Sequence, residues 1–200
     1  MHITRTWRLG LAAAAIVWVA AVAVGFAQLW EFAYTPGPAA SAPARWPSPS
    51  LPHDPTAPTL VMVLHPECSC SEASLEELSR LLARTRVRVR TLVLFNVPSR
   101  SYTLSPVNSL WRAATAMPGV AAIVDRGGAE AERFGALVSG QTFLYDARGD
   151  LQFSGGITSA RGHAGDNDGE AALWSLLAAD RAAPRTTSVF GCALPKADQS

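Results

Sequence analysis

Apolar residues first occur as one unbroken run. Residues 9–30 carry no charge and are rich in Ala, Val, Ile and Leu. A helix of this length extends about 33 Å, which is enough to cross the ~30 Å hydrocarbon core of a membrane. Two arginines precede the run and Glu31 follows it, which predicts a cytoplasmic stub over residues 1–8 and an inner-membrane, single-pass anchor. The rest of the chain is then expected in the periplasm or another extracytoplasmic space.

A cleavable signal peptide is the alternative interpretation of this run. Residues 25–27, Gly-Phe-Ala, resemble a small-x-small cleavage site. The apolar core of a signal peptide is usually only ~7 to 15 residues long, which favours a retained anchor. Both interpretations export the remainder of the chain.

Shorter apolar and alternating runs after residue 58 predict one domain over residues 59–200. Strands are expected at 59–64, 87–97, 120–124, 142–145 and 151–153, and helices at 71–84, 107–117, 129–134 and 169–179. Ser69 and Glu72 predict a capping box for the first of these helices, and Asn167 or Asp168 is expected to cap the last. The order of elements implies an α/β fold, with helices covering a mixed central sheet.

Composition separates the anchor from this domain. Residues 31–58 hold eight of the chain's fourteen prolines among Ala and Ser, and we expect a semi-rigid spacer there. A formal net charge of +1 argues against a nucleic-acid partner.

The candidate chemistry lies in the sequence His65-Pro66-Glu67-Cys68-Ser69-Cys70. Two thiols one residue apart stand between a predicted buried strand and a predicted helix. The start of a helix favours negative charge and so lowers a cysteine pKa. The pattern indicates redox or metal-handling chemistry, with protein thiols or disulfides as partners in the redox case.

These motifs resemble the thioredoxin-like superfamily over roughly residues 59–179, and in particular its membrane-tethered extracytoplasmic thiol-disulfide proteins. The resemblance rests on the strand, the cysteine pair opening a helix, and the closing strand-strand-helix unit. More narrowly, HPECSC, SGQTFLYD, FSGGIT, ARGHAGDN and the terminal VFGC are similar to the bacterial RedB-type proteins. The resemblance implies a thioredoxin-like sheet and thiol-disulfide exchange, with substrate contacts near Pro66, Gln141 and Thr142.

Two departures from the family pattern limit what the resemblance implies about function. The family usually separates its cysteines by two residues, whereas only Ser69 separates Cys68 from Cys70. A disulfide across one residue is expected to be strained and oxidising, which favours an oxidase or isomerase. Gln141 stands where the family normally places a cis-proline, so the contacts of that proline are not carried over.

The resemblance assigns Cys68 as the attacking thiolate and Cys70 as the thiol that resolves the mixed disulfide. His65 is expected to tune the pKa of a thiol or to shuttle a proton, or else to make an ordinary hydrogen bond. Cys192 leaves an odd thiol. It either joins the pair near the helix start, stays buried and free, or forms an intermolecular bond.

Two alternatives to an enzyme remain. His65, Cys68, Cys70 and Cys192 supply one imidazole and three thiolates, a ligand set that suits copper or zinc, so an exported copper chaperone is the second hypothesis. The third is a non-catalytic, membrane-tethered interaction domain. The redox hypothesis itself requires no cofactor.

Overall fold

The computed structural model describes residues 3–97, 109–180 and 182–195. The first two residues of the helix expected over 107–117 lie outside these ranges. The chain forms two compact units, Met1–Thr35 and Pro36–Ser200.

The first unit is a single helix, α1, which covers Ile3–Tyr34. Within its segment Trp7–Tyr34, an 18-residue stretch has a mean hydropathy of 2.4, and none of the side chains in that stretch is buried. By length and composition, α1 is long and apolar enough to cross a membrane. A signal sequence near the N-terminus meets the same requirement.

The second unit is built on a five-stranded sheet in the order β3-β2-β1-β4-β5. The strands are β1 (Thr59–Leu64), β2 (Arg90–Val97), β3 (Val120–Arg126), β4 (Gln141–Tyr145) and β5 (Leu151–Gly155). The pairs β1–β2 and β2–β3 are parallel, and the pairs β1–β4 and β4–β5 are antiparallel. The central strand β1 is buried along its whole length, which explains why its sequence is continuously apolar rather than alternating.

Helices cover both faces of the sheet. They are α2 (Cys70–Arg84), α3 (Ser109–Ala116), α4 (Ala129–Arg133) and α5 (Asp168–Leu177). Because side chains alternate along a strand, β1 contributes to two cores. Its residues Leu60, Met62 and Leu64 pack with α2, α3 and α5, whereas Val61 and Val63 pack on the other face with Phe134, which follows α4.

The α/β fold class expected from the sequence is confirmed. The unit β1-α2-β2 supplies two parallel central strands, and β4-β5-α5 supplies the antiparallel pair and the last helix. This is the arrangement expected of a thioredoxin-like sheet. The second strand begins at Arg90 rather than at residue 87, since Val87 is exposed and does not enter the sheet.

The proline-rich stretch from residue 36 onward is packed against the domain. The Trp46 indole stacks edge-on against Phe134 and Tyr145, at 5.2 and 5.3 Å between ring centroids. The Trp46 backbone N–H donates to the Gly149 carbonyl at 2.8 Å, and the Tyr145 hydroxyl donates to the Pro43 carbonyl at 3.0 Å. The structure therefore differs from the expected spacer over 31–58. Composition indicates extended backbone, and extended backbone can lie on a core as readily as in water.

Limited trypsin digestion of the detergent-solubilised chain tests this packing at the Arg45–Trp46 bond. Backbone hydrogen bonds hold both sides of that bond, through Trp46 and through the Ala44 carbonyl, so we expect slow cleavage in the folded protein. Replacing Trp46 with Ala removes a half-buried indole. It should weaken the segment by about 2 kcal/mol and speed cleavage there by about tenfold or more.

The matched control is Trp174→Ala, which removes an indole from α5 instead. This variant should leave cleavage after Arg45 slow. Cleavage of the unaltered protein as fast as in urea would contradict the packing of the segment.

Candidate functional site

Three sulfur atoms meet at the start of α2. The Sγ atoms of Cys68, Cys70 and Cys192 all lie within 4.8 Å of one another. The Sγ atoms of Cys68 and Cys192 are 2.9 Å apart, although the two residues are 124 positions apart in sequence. All three cysteines are free thiols. The sequence left three places for Cys192, and the structure puts it beside Cys68 and Cys70.

The loop before α2 holds Cys68 in a tight turn. The Cys68 backbone N–H donates to the His65 carbonyl at 3.2 Å, and the Ser71 N–H donates to the Cys68 carbonyl at 3.0 Å. The expected capping box is wrong. Ser69 precedes the helix but has helical backbone angles, φ −58° and ψ −27°, and its side chain makes no capping bond. A side chain caps a helix when its backbone is extended, as at Asn167, whose Oδ1 accepts the Glu170 N–H at 2.8 Å.

The environment of Cys68 favours its thiolate. Burial raises the pKa of Cys68, since the side chain is nearly inaccessible. Hydrogen bonds from the Cys192 thiol and from the backbone N–H groups of Cys192 and Cys70 outweigh burial, and the net pKa lies below its ordinary value. Donors that point at one sulfur stabilise its negative charge and oppose protonation.

The other two thiols are held in the protonated form. Burial, followed by the neighbouring charge of Cys68, raises the pKa of Cys70. Burial, followed by the hydrogen bond to Cys68, raises the pKa of Cys192 to about 12. The Arg161 guanidinium lowers both values without reversing either shift. The cluster therefore carries one favoured thiolate, Cys68, and two thiols.

His65 lies beside the cluster but outside the group of sulfurs. Its Nδ1 accepts the Glu67 backbone N–H at 3.3 Å. Burial lowers the pKa of His65, and the charge of Glu67 opposes this shift without reversing it. A neutral imidazole can accept a proton but adds no positive charge to stabilise a thiolate. Within the described ranges, the set of potential metal ligands in mutual reach holds the three cysteines and not His65.

Two serines that sequence reasoning missed connect the parts of the site. The Ser139 hydroxyl accepts the His65 backbone N–H at 2.8 Å and lies 2.9 Å from the Ser71 hydroxyl. The Ser71 hydroxyl also donates to the His65 carbonyl, while the Ser139 backbone N–H donates to the Cys192 carbonyl, at 2.9 and 2.8 Å. Both serines are fully buried. A buried serine has no periodic signal in a sequence, and only the folded structure shows which groups it contacts.

The residues expected to contact substrate are buried. Thr142 donates its hydroxyl to the Gly140 carbonyl at 3.1 Å, and the Gln141 Nε2 donates to the Ser154 hydroxyl at 3.2 Å. Pro66 is buried in the loop before Cys68. None of these three side chains is exposed at the surface of the structure. The Gln141 Oε1 is buried without a hydrogen-bond partner.

Comparison with known proteins supports the fold and goes no further. No protein-family model matches the chain, and no curated protein matches it. A hypothetical protein from Sinorhizobium meliloti 1021 is similar in structure, with a TM-score of 0.56 and 18% identity over 81% of this chain and 94% of that chain. An uncharacterized conserved protein from Geobacillus kaustophilus is similar with a TM-score of 0.55 and 16% identity, over 84% of this chain and 94% of that chain. At these identities the likeness shows a shared fold alone.

A solved protein described as a member of the thioredoxin-like superfamily is also similar. Its TM-score is 0.45 at 17% identity, over 74% of this chain and 99% of that chain. A score at this level carries no weight on its own. The sheet order, the strand directions and the Cys68-x-Cys70 pair at the start of α2 are what support a fold of the thiol-disulfide oxidoreductase kind.

The pH dependence of alkylation tests the electrostatics of the cluster. Only a thiolate reacts, so the reactivity of Cys68 should persist to a lower pH than in the urea-unfolded chain and disappear as pH falls through its lowered pKa. The midpoint for Cys192 should lie above its unfolded value, toward pH 12. Iodoacetamide rates for each cysteine of the reduced protein, measured by mass spectrometry from pH 5 to 11, give the midpoint of Cys68 and show whether Cys192 reacts more slowly than in the unfolded chain. The same midpoint for Cys68 in the folded and unfolded chains would contradict the favoured thiolate.

Proposed function

We propose that this protein is a thiol-disulfide oxidoreductase in which Cys68 is the attacking thiolate. The observation that carries the proposal is a nearly buried sulfur with a lowered pKa and a second sulfur at 2.9 Å. A nucleophilic thiolate with another thiol in reach is the minimum that disulfide exchange requires. His65 accepts a proton in this exchange by giving up the hydrogen bond from the Glu67 N–H, because its Nδ1 is the acceptor nitrogen of the neutral imidazole.

The reaction is a pair of thiol-disulfide exchanges. The Cys68 thiolate attacks one sulfur of a client disulfide, forms a mixed disulfide and releases the first client thiolate. A second cysteine of the cluster then attacks the Cys68 sulfur and releases the second client thiolate. The client gains two electrons and the protein loses two, and the reverse sequence oxidises a client dithiol. With Cys70 as the second cysteine, the bridge would span one residue, and its strain would favour oxidase or isomerase activity.

The proposal includes a location and a class of client. Helix α1 acts as an inner-membrane anchor through residues 9–30, and the arginines before it and Glu31 after it favour an extracytoplasmic domain. Such compartments permit disulfides. The clients are protein thiols or disulfides, and a net charge of +1 gives no reason to expect nucleic acid. The sequence motifs favour kinship with the RedB-type proteins.

A second candidate function is the binding of a soft metal ion. Three sulfurs within 4.8 Å of one another are a donor set that suits Cu⁺ or Zn²⁺. Cys68, Cys70 and Cys192 would supply the ligands, with His65 available only after a movement. This hypothesis makes the protein an exported copper chaperone rather than an enzyme.

A redox titration separates the two functions. The full-length protein in detergent, equilibrated in glutathione buffers of graded potential, should give a reversible two-electron transition in its free-thiol content. Cys68→Ser should abolish that transition, because it removes the nucleophile. The control is Ser69→Ala, which changes the exposed residue between the cysteines and should retain the transition. Stoichiometric copper or zinc with no reversible transition would replace the enzyme with the metal-binding function.

A further inference from the structure

The segment that carries Cys192 is fixed along the edge of the site. The Leu194 backbone N–H donates to the Leu137 carbonyl at 2.9 Å, and Ala193 and Val138 form an antiparallel bridge. Together with the bond from Ser139 to the Cys192 carbonyl, these contacts pair the tail with the chain just before β4. The backbone on both sides of Cys192 is therefore held, and its sulfur stays beside Cys68.

Gly191 allows this close approach. A Cβ atom at Gly191 would lie 1.9 Å from the Ser139 carbonyl oxygen, so no larger residue fits without moving the backbone. The Arg161 guanidinium donates to the Gly191 carbonyl on the other side. Arg161 belongs to a polar loop that α2 holds through the buried Glu77, whose carboxylate accepts the Gly165 N–H at 2.6 Å. Contacts from two separate parts of the fold thus converge on the residue before Cys192.

We propose that Cys192 is the resolving cysteine and that the working disulfide joins Cys68 to Cys192 rather than to Cys70. This inference rests on the proposed function, since it names the second sulfur of the same exchange. The Cys68 and Cys192 sulfurs are already at 2.9 Å. A bridge between them closes a loop of more than a hundred residues, whereas a Cys68–Cys70 bridge closes a strained loop of three. Because the fold already holds both pairs of sulfurs together, the strain of the three-residue loop favours the long-range bridge.

The chemistry balances without a further reactant. Once Cys68 has formed a mixed disulfide with the client, Cys192 loses its proton to solvent or to His65 and attacks the Cys68 sulfur. The Cys68–Cys192 bond forms, the bond between Cys68 and the client breaks, and the client leaves as a thiolate. Two electrons have then passed from the protein to the client. Cys70 remains a thiol that can attack the new bridge.

The electrostatics support this sequence of steps. The hydrogen bond with Cys68 and the charge of Cys68 are two of the causes that raise the pKa of Cys192. Both disappear when the Cys68 sulfur becomes part of a mixed disulfide, because that sulfur no longer carries charge. Cys192 therefore becomes more acidic at the stage at which it must attack, while Arg161 continues to favour its thiolate.

Peptide mapping of the oxidised protein tests the assignment. Trypsin leaves Cys68 and Cys70 together in residues 46–80 and Cys192 in residues 186–196. The full-length protein in detergent is oxidised with glutathione disulfide, quenched in acid, alkylated, denatured and digested. We expect the two peptides to be cross-linked within one chain, with fragmentation assigning the bond to Cys68. Cys70→Ser should keep this cross-link.

Variants of the resolving thiol provide the kinetic test. Cys192→Ser should accumulate the Cys68–glutathione mixed disulfide at least tenfold above Cys70→Ser, because its resolving sulfur is missing. Gly191→Ala should reduce the cross-linked fraction while leaving Cys68 reactive. The control is Ala193→Ser, which changes an exposed neighbour and should leave the cross-linked fraction unchanged.

The outcomes distinguish this inference from the function on which it rests. A reversible bridge confined to residues 46–80 would overturn the role of Cys192 and leave the oxidoreductase intact. A Cys192–Cys192 bond between two chains would overturn it in the same way. No reversible disulfide in any of these proteins would overturn the proposed function itself.

Discussion

The pairing of β1 with β4 is the constraint on which the thiol site depends. Val63 lies opposite Gln141 in this antiparallel ladder, and the same register carried two residues further brings His65 opposite Ser139. The Ser139 hydroxyl then accepts the His65 N–H, and its backbone N–H donates to the Cys192 carbonyl. One sheet register therefore positions the cysteine loop and the tail together. A shift by one residue would turn Ser139 away and separate the sulfurs.

The helical face of the sheet supplies the second half of the site. Helix α2 is held down by apolar residues that pack on β1 and α5, and it carries Cys70 at its first position. Its buried Glu77 organises the loop that brings Arg161 to the Gly191 carbonyl. The tail is thus held by hydrogen bonds from the strand side and by a guanidinium from the helix side.

Local pattern was enough to predict the elements and the cysteine motif, and it failed wherever the answer depended on distant pairing. The apolar run of β1, the leucine spacing of α2 and the Asn167 cap are local, and the structure has all three. Cys192, Ser139 and Arg161 reach the thiols only through strand register and loop packing, so spacing in sequence says nothing about them. The proline-rich stretch failed differently, because composition indicates extended backbone without showing whether Trp46 finds an aromatic core. Ser69 has the sequence of a cap but the backbone of a helix.

Distance does not choose between redox chemistry and metal binding at this cluster, but the two reactions differ in the protons that they must remove. The 2.9 Å between the Cys68 and Cys192 sulfurs must shorten to about 2.0 Å in a disulfide and lengthen to about 3.8 Å around a tetrahedral zinc ion, changes of similar size. A metal site, however, requires several thiolates at once. Burial and mutual repulsion raise the pKa of Cys70 and Cys192 and leave Cys68 as the one favoured thiolate. Disulfide exchange uses one thiolate at a time and can start from this charge distribution, whereas a metal ion would have to displace the protons of Cys70 and Cys192 as it binds.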